Sequence, residues 1–94
     1  MAKKLKAEKL PTREEIAELA EDAMFAEGFD DCILGTVSRF GAPTLVLYDE
    51  ERVIQKLMSR DGMDRDTAEE FFSVNIIGAW VGEGTPAFAT VLRK

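Results

Sequence analysis

The sequence contains no histidine. That removes Ser-His-Asp and Cys-His catalysis, imidazole metal ligation and histidine-based pH switching. Its single cysteine, Cys32, can form neither an intramolecular disulfide nor a thiolate zinc cage. No apolar run approaches the ~18–20 residues that a membrane span requires. The basic opening Met1-Ala2-Lys3-Lys4-Leu5-Lys6 runs into further charge where a signal peptide would carry its apolar stretch. We therefore expect a cytoplasmic protein without membrane contact. Basic residues are also scarce, with twelve Lys and Arg against eighteen Asp and Glu and a net charge of −6.

The deficit of positive charge is uneven. Residues 1–13 hold Lys3, Lys4, Lys6, Lys9 and Arg13 against Glu8, whereas residues 14–92 hold five basic side chains against seventeen acidic ones. An acidic body repels nucleic acid, because Lys and Arg neutralising phosphate supply most non-specific affinity. Only the basic start suits phosphate. Lys3, Lys4, Lys6 and Lys9 are thus candidate phosphate contacts in an alternative reading, where the body is a dimerising scaffold for a nucleic-acid-binding arm.

Ninety-four residues make one small domain. Residues 1–10 show no apolar period and meet Pro11, so residues 1–11 read as a flexible basic arm and residues 12–94 as a single domain. Thr12 and Glu15 form a capping box, each side chain reaching the other's backbone amide. Ile16, Leu19, Ala20 and Ala23 follow at helical spacing, and Gly28 is placed to end the helix, which predicts helix one over about residues 13–27. Residues 32–39 and 44–48 are β-type runs joined by the turn cluster Phe40-Gly-Ala-Pro43, which predicts a hairpin with Gly35 marking a bulge or a close backbone. Asp49 is placed to cap a second helix ending at Asp61-Gly62, and Asp64 a third, reaching to near Val81. The β-like residues 87–92 need a partner strand, and the hairpin is the economical one. The expected fold is α+β, three helices with a small three-stranded antiparallel sheet.

Chemistry is thin. Cys32 follows Asp30 and Asp31, carboxylates that oppose a thiolate, so a small buried apolar role fits it better than nucleophilic attack. Asp61, Asp64, Asp66, Glu69 and Glu70 fail both calcium-loop registers, since one places Met63 and the other Glu69 where the loop demands otherwise. Gly82-Glu-Gly-Thr-Pro86 has phosphate-loop composition but reversed polarity, following a helix and opening a strand. The unit around Gly62 has a helix-turn-helix skeleton, yet its second helix displays Asp64, Asp66, Glu69 and Glu70 toward any phosphate. We expect no catalytic residue, no cofactor and no metal.

What remains is contact chemistry. Asn75 falls on or beside the apolar stripe of helix three, so its amide either bonds a neighbouring backbone or specifies a partner. Gly78 costs a helix ~1 kcal/mol against alanine, which implies a backbone packed close to it. Trp80 is either core or an interface anchor. With Glu83 and Thr85 in the exposed turn, and Phe40 in the hairpin turn, these residues form the candidate partner-contact set: Asn75, Trp80, Glu83, Thr85 and Phe40.

One pattern reaches beyond elementary chemistry. Tyr48-Asp49, Arg60-Asp-Gly-Met63 and Asn75-Ile-Ile-Gly-Ala-Trp-Val-Gly-Glu-Gly-Thr-Pro86 resemble a group of short proteins encoded by tailed bacteriophages and prophages, over about residues 29–88. That resemblance implies a small phage-type accessory protein and carries no activity or site residue. The expected role is non-enzymatic: a homodimeric module that binds another protein, inhibiting or modulating a host factor.

Overall fold

The computed structural model describes residues 11–79 and 81–92. Its order is α1 (Arg13–Leu19), a 3-10 turn (Asp30–Cys32), β1 (Ile33–Val37), β2 (Leu45–Asp49), α2 (Glu50–Asp61), α3 (Arg65–Phe71), a π turn (Phe72–Ile76) and β3 (Ala87–Ala89). The α+β fold is as expected. Lys3, Lys4, Lys6, Lys9 and Trp80 lie outside the described residues.

The local signals of the sequence act where they stand. The Glu15 amide donates to the Thr12 hydroxyl at 3.1 Å and the Thr12 amide to the Glu15 carboxylate at 3.0 Å, closing the capping box. Asp49 accepts from the amides of Glu51 and Arg52 and starts α2; Gly62, at φ +72°, ends it in the left-handed conformation. Asp64 accepts from the Thr67 amide and starts α3.

Helix one, however, stops at Leu19 rather than near residue 27. Ala20 leaves helical geometry at φ −142°, ψ 74°. Beyond it the backbone bonds across the fold: the Met24 amide donates to the Gly84 carbonyl at 3.0 Å and the Ala26 amide to the Tyr48 hydroxyl at 2.7 Å. This crossing brings Ala23, Phe25 and Ala26 onto the core and buries Phe29 within it. Tertiary burial outweighs helix propensity there. Gly28 does take a left-handed φ of +89°, but within the crossing segment and not at a helix end.

β1 and β2 form the expected antiparallel hairpin, pairing Ile33 with Tyr48 and Val37 with Leu45. The register shifts between Ile33 and Gly35, so Gly35 marks a bulge with open space at its missing Cβ. The third strand corrects the antiparallel expectation. β3 pairs parallel to β2, Leu47 with Ala87 through Asp49 with Ala89, which makes the sheet mixed in the order β1-β2-β3. The cause is connectivity: β2 feeds straight into α2, and the chain crosses through α3 and the π turn before re-entering the sheet, as parallel pairing requires. The strand is also shorter than residues 87–92, ending at Ala89.

Helix three likewise departs from a single α-helix. After Phe71 it widens to a π turn, with the Ile77 amide donating to the Phe72 carbonyl at 2.8 Å. The core joins Ile16 of α1, Ile33 of β1, Val46 and Tyr48 of β2, Val53, Ile54 and Leu57 of α2, Ala68 of α3 and Phe72 of the π turn. Phe88 of β3 stacks on Tyr48 at 5.4 Å and meets Phe72 edge-on at 5.2 Å, each pair worth ~0.5–1.5 kcal/mol beyond burial. No helix among the described residues is long and apolar enough to cross a membrane.

Candidate functional site

Two hollows compete for attention. The larger, about 580 Å³, lies beside α2 and is lined by Asp31, Cys32, Glu51, Arg52, Lys56 and their neighbours. Its charges are already engaged: Lys56 pairs with Asp31 and holds that carboxyl below its usual range, Arg52 pairs with Asp49, and Glu51 with Arg65. Burial, reinforced by the adjacent Asp31 carboxylate, pushes the Cys32 thiol up to about 11. A buried thiol held protonated in this way is a poor nucleophile. Among the described residues no group of three or more His, Cys, Asp or Glu side chains is placed to hold a metal ion.

The second hollow is an apolar groove of about 390 Å³. One wall is the crossing segment, through Met24, Phe25, Ala26 and Phe29. The other is built by the π turn and the chain that follows it, through Asn75, Ile76, Ala79, Val81, Pro86 and Phe88. The aromatic cluster supports it, since Phe88 touches both Tyr48 and Phe72. Beyond the groove, Val74 and Ile77 of the same segment are more than half exposed.

The crossing wall is held by specific bonds. Besides Met24 to Gly84 and Ala26 to Tyr48, the Arg13 guanidinium lies 4.5 Å over the Phe25 ring and bonds Glu27 and both oxygens of Asp30. Arg60 lies 4.9 Å over the Phe29 ring and donates to the Gly28 carbonyl at 3.2 Å. Burial pushes the Tyr48 hydroxyl above its ordinary range, so it stays a neutral partner of the Ala26 amide.

The sequence-chosen contact residues can now be placed. Asn75 is exposed on the groove wall, not buried in the core, because it belongs to the π turn. Thr85 lines the groove too, and its hydroxyl closes its own turn, donating to the Gly82 carbonyl at 2.6 Å and accepting from the Val81 amide at 3.0 Å. Thr85 and Glu83 also line an adjoining recess of about 360 Å³ against Arg39 and Pro43 and the first residue of β2, Leu45. Phe40, at the tip of the hairpin turn, is fully exposed. The structure thus joins Asn75 and Thr85 at one groove and sets Glu83 beside it, with Phe40 at the tip of the turn beyond. Gly78 is indeed crowded, but by its own chain: a Cβ there would come within 2.8 Å of the Ser73 carbonyl oxygen and 2.9 Å of that of Val74.

Missed from sequence were Met24, Phe25 and Ala26, assigned above to a helix. The signal was present: Ala23-Met-Phe-Ala26 is four consecutive apolar residues, too many for one helical stripe. The chain matches no protein-family model, no curated protein and no solved structure.

Proposed function

We propose that this protein is a non-enzymatic binding module, a phage-type accessory protein that engages another protein through the groove between residues 24–29 and 75–88. One observation carries the reading: an apolar groove with a preformed wall opens beside further exposed apolar side chains, Val74 and Ile77. Burying such a surface in a partner yields the dominant favourable term of protein association. Asn75, with Thr85, adds a polar contact to a mostly apolar wall, which fixes register more than it adds affinity. Modulation of a host factor fits this mode of action, since a small chain can act by occupying a surface.

Ala79 supplies the test, because it lines the groove yet is exposed and its replacement leaves the core intact. Wild type and Ala79→Asp are immobilised and used to capture proteins from the cells in which the chain is made. A protein retained by wild type and lost by Ala79→Asp supports the proposal. Equal retention by both refutes it.

A further inference from the structure

We infer that the groove takes a cationic amphipathic segment of its partner, apolar side chains in the groove and Lys or Arg over its ends; this rests on the reading above that the groove is a docking site. The charge pattern around it is the reason. The backbones that carry Asp22 and Glu83 meet at one end of the groove, next to Met24 and Thr85, since a Cβ on Gly84 would come within 2.8 Å of the Asp22 carbonyl oxygen. Both residues are exposed, and among the described residues neither carboxylate has an ion-pair partner, nor has the neighbouring Glu21. Glu27 lines the groove itself, and though 3.1 Å from Arg13 it stays 83 % exposed.

The fold's own cations are spent internally. Of the six Lys and Arg among the described residues, Arg13, Arg52, Lys56, Arg60 and Arg65 all sit in ion pairs, and only Arg39 is in none. A net negative charge therefore rims this end of the groove. Glu27 pairs with Arg13 and Glu83 shares a recess with Arg39, but Asp22 and Glu21 have no ion pair among the described residues. Such a rim steers a cationic segment inward and rejects an anionic one, while the apolar walls supply the affinity. Phosphate-bearing surfaces are disfavoured by the same carboxylates.

The probe is a fluorescent peptide of about 18 residues with a helical leucine stripe and lysines elsewhere, against its twin with glutamate for lysine. Each is titrated into the full chain by anisotropy at about 50 and about 300 mM salt. The expected result is that the lysine peptide binds about tenfold more tightly than the glutamate twin, and more weakly in high salt. Ala79→Gln, which fills the groove without changing charge, should weaken it about fivefold or more. The double change Asp22→Asn with Glu83→Gln should weaken it about threefold and flatten the salt dependence.

Equal binding of the two peptides, both lost in Ala79→Gln, overturns the cationic assignment and leaves groove docking standing. Lysine-peptide binding indifferent to Ala79→Gln shows only attraction to an acidic body and overturns the assignment, counting against the docking reading as well. A dimer in sedimentation that Ala79→Gln dissociates, with neither peptide binding, gives the groove to a second copy and overturns it. Binding gained on Leu5→Asp gives the groove to the chain's own basic residues 1–10, with the same consequence.

Discussion

Tyr48→Phe removes one oxygen atom and with it the only described side-chain bond from the sheet to the crossing segment. The Tyr48 ring is fully buried and its hydroxyl receives the Ala26 amide at 2.7 Å. Phenylalanine keeps the ring, its stacking on Phe88 and its place in the core. The loss is one hydrogen bond, and the Ala26 amide, half-buried, is left without its acceptor. A net bond is worth ~0.5–1.5 kcal/mol and an orphaned buried donor costs ~1–3, so a half-buried site should lose about 1–2 kcal/mol. For a domain of this size that lowers the melting temperature by about 5–15 °C.

Urea denaturation gives the free energy, and amide hydrogen exchange gives its location. Exchange at Ala26 and Met24 should accelerate well beyond exchange at Val53 or Ala68, which lie deep in α2 and α3. The alkaline limb tests the same bond by another route. Burial raises the Tyr48 hydroxyl, so its share of stability is complete below about pH 10 and is lost as pH rises through the folded value. Tyr48→Phe lacks that share, so its loss of stability at high pH should be smaller than that of wild type. Stability within about 0.5 kcal/mol of wild type, with Ala26 exchange unchanged, would refute the idea that this hydroxyl anchors the groove wall.

Gly84→Ala should destabilise the fold and open the groove together, since its Cβ would meet the Asp22 carbonyl oxygen at 2.8 Å and that backbone cannot yield cheaply; thermal melts and peptide anisotropy measure the two effects. Gly62→Ala should cost ~1 kcal/mol from left-handed strain alone, because nothing lies within 4 Å of the added methyl; an equal melting temperature would contradict it. Asp64, held below the usual carboxylate range by the Thr67 amide, stabilises above its unfolded pKa and stops doing so as pH falls through its folded one. Urea midpoints of Asp64→Ala and wild type should therefore differ at pH 7 and converge in strong acid. Native Cys32 should resist alkylation at pH 8 and react once the chain is unfolded in urea, mass spectrometry distinguishing the two.

Much of the fold was legible because local chemistry is decisive at element ends. Thr12, Asp49 and Asp64 each accept a backbone amide within three residues of themselves, and Gly62 ends α2 by turning left-handed. The errors in helix one and in strand direction involve bonds between distant residues. Nothing near Leu19 announces that the Met24 amide will find Gly84, sixty residues later, and so the helix was carried to residue 27. Strand direction in β3 depends on the whole crossover and not on the composition of residues 87–89. Of the candidate site, Asn75 stood out as a polar group beside an apolar stripe and Thr85 as part of an exposed turn, while the facing wall was hidden inside a false helix.

The π turn links these departures. In a regular α-helix the Ile77 amide would bond Ser73; here it bonds Phe72, one residue further back, and the residues beyond are rotated about the axis by one position. Phe72 stays buried in the aromatic cluster while Asn75 faces out and Ile76 and Ala79 face the crossing segment. That segment, in turn, is free to face them only because α1 ends at Leu19. Neither wall owes its position to a regular helical ladder: the crossing wall rests on Tyr48, Gly84 and Arg13, and the opposite wall on a widened turn. A groove held by so few bonds is preorganised at those points and adaptable between them. Changes at Tyr48 or Gly84, which never reach a ligand, should therefore weaken docking as surely as changes at Ala79.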